Sequence, residues 1–116
     1  MKPEELNRQI AELVYPNDSV HQYFNTDEVY AFNKDTGRRT HNRNYCNNWN
    51  DLMPLVWENR IAFEAAFFKD REGDRFYLAH TTFKSDGDVS VLNTNPQMAL
   101  AQCLLKVLEA KEKNDG

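Results

Sequence analysis

The sequence predicts an α+β protein, an αβα sandwich in which a mainly antiparallel sheet lies between helices. Three observations carry this. Three stretches have the apolar spacing of amphipathic helices, several short runs rich in β-branched and aromatic residues are parted by turn formers, and one such run is bulky on both sides. The predicted order is α-β-β-α-β-β-β-α, in a single domain over residues 1–113, with residues 114–116 as a frayed tail. A length of 116 residues suits one domain, and a 41% hydrophobic content with seven Phe, five Tyr and two Trp can fill one core.

The first helix is expected over residues 3–15, where Leu6, Ile10, Leu13 and Val14 share a face. Pro3 suits its first turn, Glu4 and Glu5 suit the positive end of its dipole, and Pro16-Asn17-Asp18 stops it. Val20 to Phe24 and Glu28 to Phe32 read as a hairpin around Asn25-Thr26-Asp27. Residues 33–48 show no apolar periodicity and read as a long loop.

A second helix is expected over residues 49–59, with Asn48 or Asn50 as cap, Asp51 in the first turn and Pro54 early enough to be tolerated. Trp49 and Trp57 lie two turns apart on one face, which predicts core packing; the alternative is an aromatic ridge at the surface. Ile61 to Phe68, Arg75 to Phe83 and Val89 to Leu92 read as three antiparallel strands, joined by the polar segments Lys69–Asp74 and Ser85–Asp88. In the middle run, Phe76, Leu78, His80 and Thr82 alternate with Tyr77, Ala79, Thr81 and Phe83, so both of its faces are expected to be covered. Asn95 caps the last helix, expected over residues 95–112, and Pro96 occupies its first position.

Two segments, Tyr45-Cys46-Asn47-Asn48-Trp49-Asn50-Asp51-Leu52-Met53-Pro54-Leu55-Val56 and Asn95-Pro96-Gln97-Met98-Ala99-Leu100-Ala101-Gln102-Cys103-Leu104-Leu105, stand out together with the opening Glu5-Leu6-Asn7-Arg8-Gln9-Ile10-Ala11-Glu12-Leu13. Jointly they resemble the phage αβα-sandwich family, small proteins of tailed phages and prophages. The resemblance spans nearly the whole chain. It implies an αβα build and a phage or prophage origin, and it brings no catalytic residue with it.

The side chains themselves point away from chemistry. His21, His41 and His80 have no metal-ligand spacing to other donors, and no nucleophile–base pattern surrounds Cys46, although a helix start nearby is a setting that lowers a thiol pKa. Asp86-Gly87-Asp88 and Asp70–Asp74 resemble fragments of calcium loops without the rest of the pattern, and read as turns. No enzyme activity, cofactor or metal is expected. No apolar run reaches the length of about 18 residues that a membrane span needs. A charged opening unlike a secretory signal, with only two distant cysteines, predicts a reduced cytosolic compartment, here that of a bacterial host.

Charge is uneven. Residues 33–48 carry Lys34, Arg38, Arg39 and Arg43 against Asp35 alone, leaving ten basic and 17 acidic residues elsewhere in a chain of net charge −4. The plain reading is a solvated loop. The functional one makes Lys34, Arg38, Arg39, His41, Arg43 and Tyr45 the candidate binding residues, with Tyr45 available to stack. The expected role is an accessory protein that binds a host or phage protein in the host cytosol, in host modulation or counter-defence; the alternative is nucleic-acid or nucleotide binding through residues 33–48. None of residues 35–42 has core character, so their deletion is expected to leave the fold intact and to remove binding.

Overall fold

The structure, a computed structural model, describes residues 1–67, 75–82 and 87–115. The predicted turn at Lys69–Asp74, and Phe83, Ser85 and Asp86, lie outside the described residues. The order is α1 (Pro3–Val14), β1 (Ser19–Gln22), β2 (Val29–Asn33), β3 (Arg38–Arg39), α2 (Trp49–Glu58), β4 (Ile61–Phe67), β5 (Arg75–Thr81), β6 (Ser90–Asn93) and α3 (Pro96–Asp115). Among the described residues the fold is therefore α+β, with three helices and antiparallel strands. The strands form two three-stranded sheets, β1-β2-β3 and β4-β5-β6, in chain order. The chain divides into two compact units, residues 1–52 and 53–116.

In the first unit α1 packs on β1 and β2. Leu6, Ile10 and Ala11 from the helix, and Val29 and Ala31 from the sheet, are buried. One polar side chain sits among them. Asn7 is fully buried; its Nδ2 donates to the Asp27 carbonyl (2.7 Å) and to Asn44 Oδ1 (2.9 Å), while its Oδ1 accepts from the Cys46 N–H (3.1 Å). A single amide thus ties the helix to the β1–β2 turn and to the segment before α2, and its partners satisfy it.

Residues 33–48 are not a structureless loop. Asn33 Oδ1 accepts from the Asp35 and Thr36 N–H groups (3.0 and 3.1 Å), and Gly37 turns the chain at φ +72°. The chain then returns along β2, with Phe32 opposite Arg39 and Asn33 opposite Arg38. Thr40 N–H donates to the Ala31 carbonyl (2.9 Å), and Arg43 and Val29 exchange two backbone bonds (2.7 and 2.9 Å). Between these pairs His41 and Asn42 oppose Tyr30 alone, the two-against-one count of a β-bulge. Two arginines carry no apolar alternation, which is why the third strand of this sheet escapes a reading by periodicity.

Asn48 Oδ1 accepts from the Asn50 N–H (2.9 Å) at the start of α2. The buried stripe of that helix is Leu52, Val56 and then Asn59. Trp49 is 42% and Trp57 76% exposed, so the expectation that both tryptophans pack in the core is corrected. Helical spacing says which residues share a stripe, but not which stripe is buried. Arg60, at φ +55°, ends the helix in the left-handed region, with its N–H on the Trp57 carbonyl (3.1 Å).

In the second unit α3 packs on β4, β5 and β6. Asn95 Oδ1 accepts from the Gln97 and Met98 N–H groups (3.0 and 3.1 Å), the cap expected from Asn95-Pro96. Leu100, Leu104 and Val107 of α3 are fully buried, as is Ala79 of β5. The other face of this sheet carries Ala62, Glu64, Leu78, His80 and Leu92, of which Glu64 and Leu92 are exposed. Cover on that side of β5 is partial.

Candidate binding site

The six candidate residues separate. Lys34, Arg38, Arg39 and His41 are exposed, Arg43 is half-buried and Tyr45 is only 2% exposed. Burial drives the Tyr45 phenol well above its ordinary pKa, so this ring is core and not a stacking surface. Arg43 Nη1 bonds Asp51 Oδ1 (3.2 Å), and Asp51 Oδ2 also accepts from the Asn44 N–H (2.9 Å). Burial opposes the Arg43 charge, yet its bonds to Asp51 and Tyr15 outweigh this and hold its pKa above the usual value. Arg43 is a latch between the β-bulge and the first turn of α2. Arg38 and Arg39 are neighbours in a strand, so their side chains leave opposite faces of the sheet. The arginines of the basic cluster are thus divided between the two faces of the sheet, Arg39 on one and Arg38 and Arg43 on the other.

A different group forms around Arg39. Val29 and Ala31 point toward α1, so Tyr30 and Phe32 point away from it. His21 lies across from Tyr30, with its ring 5.4 Å away. The Arg39 guanidinium lies 4.0 Å from the centroid of Tyr30 and 5.9 Å from that of Tyr23. Tyr23 in turn meets Phe24 edge-on at 4.6 Å. The outer face of the first sheet therefore carries a continuous line, Phe24–Tyr23–Arg39–Tyr30–His21.

Two members of this line are unusual. Phe24 is 77% exposed and has φ +50°. The left-handed region costs a bulky L-residue roughly 1–2 kcal/mol, and Gly or Asn would fill this turn at less cost. Arg39 is held in place: Nη1 donates to the Thr40 carbonyl (3.1 Å) and Nη2 to Asn42 Oδ1 (2.9 Å). Among the described residues no carboxylate lies within ion-pair distance of it. Of the site members, periodicity and charge pointed only to Arg39. The aromatic members were legible as strand residues, and the signal that they face outward was the burial of Val29 and Ala31, which needs α1 in place.

The thiols are the inverse case. Burial pushes Cys46 up to about 12, with Asp27 adding to the effect, and burial pushes Cys103 up to about 11. The helix-start setting suggested for Cys46 is outweighed by desolvation, and its Sγ contacts the Pro3 carbonyl at 3.7 Å. His80 is half-buried, with Nδ1 3.1 Å from the Thr81 carbonyl and Nε2 3.7 Å from Glu64. Among the described residues no three His, Cys, Asp or Glu side chains are grouped to hold a metal ion, and no helix is long and apolar enough to cross a membrane. No family model, no curated protein and no solved structure matches the chain.

Proposed function

We propose that this chain is a small accessory binding protein of a phage or prophage that docks on a host or phage protein in the host cytosol, through the outer face of its first sheet. The observation that carries the binding role is the line Phe24–Tyr23–Arg39–Tyr30–His21, aromatic groups around one arginine on an exposed face. Tyr and Arg are residue types in which binding energy concentrates at protein interfaces, because they bring large rigid area and directed hydrogen bonds at low entropic cost. Phe24 is exposed and strained in its turn, so it adds little to stability, which fits a role in contact and not in folding. The phage origin rests on the sequence segments alone, and the neighbouring genes test it: a setting without phage genes would remove it.

The binding role is tested by capture from infected or lysogenic cells with the wild type, with Phe24→Asn and with Lys106→Ala. Asn tolerates the left-handed region, so the first variant keeps its turn. Lys106 is exposed on α3, in the other unit. A partner held by wild type and Lys106→Ala, and lost from Phe24→Asn, supports the assignment. Equal capture by all three would overturn it.

A further inference from the structure

We propose that Arg39 is a pre-set carboxylate receptor, and that the occupant of this face is a segment of a partner protein that carries one Asp or Glu with an apolar side chain beside it. This deepens the binding role proposed above and rests on it. A guanidinium has five N–H donors in a fixed plane. Thr40 and Asn42 take one donor from each terminal nitrogen, and Tyr30 supports the flat face. Among the described residues the other donors have no protein acceptor. An arginine so restrained has lost much of its rotamer freedom before any ligand arrives, which lowers the cost of a bidentate bond. In a chain with 18 acidic and 14 basic residues, a fixed arginine without a carboxylate is one held open for a carboxylate from outside.

The neighbours define the rest of the occupant. Tyr23 and Phe24 continue from Arg39 as apolar ring surface, so the group next to the carboxylate is apolar. The same turn carries Asp27 and Glu28, and Arg38 leaves from the opposite face. A nucleic-acid strand brings a phosphate with every nucleotide and would meet those acids after its first contact. A single carboxylate followed by an apolar side chain meets one cation and then ring surface, so charge complementarity favours the peptide.

The test is an amide and arginine side-chain NMR titration of the whole chain with four probes: a blocked Glu-Phe peptide, its Gln-Phe and Glu-Ser counterparts, and oligothymidylate. The expected result is that Glu-Phe shifts the Arg39 side-chain signal and the Tyr23, Phe24 and Tyr30 amides. Gln-Phe and Glu-Ser should each bind about tenfold more weakly. Arg39→Gln should erase the preference for Glu over Gln, and Arg39→Lys should restore little of it, because an ammonium lacks the planar fork. Both variants sit at an exposed site, and retained signal dispersion shows that they are folded. Equal binding of Glu-Phe and Gln-Phe would overturn the carboxylate assignment while leaving the docking face standing. Stronger shifts of these same signals by oligothymidylate would overturn the peptide occupant. If no probe moves them, and Phe24→Asn captures the cellular partner as wild type does, the docking face falls too.

Discussion

At the scale of single residues, burial decides which polar groups matter for folding. Asn7 makes three hydrogen bonds from a fully buried site. Asn7→Ala would strand the buried Cys46 N–H and the Asp27 carbonyl, and should cost about 2–3 kcal/mol. Asn7→Asp should do no better, because a carboxylate keeps the bond from Cys46 but faces two oxygen acceptors on the other side. Urea unfolding measures both; a loss under about 0.5 kcal/mol for either would mean that water takes over the bonds. The thiols give a pH dependence. Folded-state values raised to about 12 for Cys46 and about 11 for Cys103 mean that the unfolded chain releases these protons first. Their contribution to stability is complete below the ordinary thiol value of about 8.5 and is lost as pH rises toward the folded values. The double variant Cys46→Ala, Cys103→Ala should therefore show a flatter fall in urea midpoint between pH values of about 8 and 10.5 than the wild type. Parallel profiles would contradict it.

At the scale of elements, the helices were legible and the edge strand was not. The predicted spans 3–15, 49–59 and 95–112 become Pro3–Val14, Trp49–Glu58 and Pro96–Asp115, because Pro3, Asn48 and Asn95-Pro96 are local signals that tertiary structure had no reason to override. Five of the strands were legible from β-branched and aromatic runs. Strand β3 was missed because Arg38-Arg39 pairs through backbone alone, and its identity as strand lies in the turn at Asn33–Gly37 and in β2. This changes what a deletion should do. Removing residues 35–42 takes away the turn, β3, the Thr40 bonds to Ala31 and the group that covers Tyr30. With net hydrogen-bond contributions of about 1 kcal/mol each, the loss should be about 3 kcal/mol, and thermal unfolding should fall by roughly 10 °C or more. A shift below about 3 °C would show that the edge strand adds nothing to the sheet.

At the scale of the whole molecule, charge and surface chemistry pull in different directions, and salt separates them. The chain carries −4 and a sequence pI near 5.3, so an acidic partner meets net repulsion at long range and one arginine at contact. Folding redistributes the charge that the sequence groups together: residues 33–48 carry a net +3, but Tyr45 is buried, Arg43 is tied to Asp51 and Arg38 leaves the sheet on the face opposite Arg39. On the outer face this leaves Arg39 as the cation held by side-chain bonds. Long-range repulsion is screened over about 8–10 Å at physiological ionic strength, while a bidentate pair resting on an aromatic ring is screened less. The two effects of salt therefore oppose each other for an acidic protein partner. The affinity of the captured partner, measured by calorimetry between about 50 and 200 mM salt, should change by less than about threefold. A nucleic-acid partner held by several cations would instead lose affinity steeply, with a log–log slope of about −0.7 for each phosphate neutralised on a single strand. A slope steeper than about −2 would mean that cations besides Arg39 take part, although Arg38 and Arg43 lie opposite Asn33 and Val29, on the other face of the sheet from Arg39.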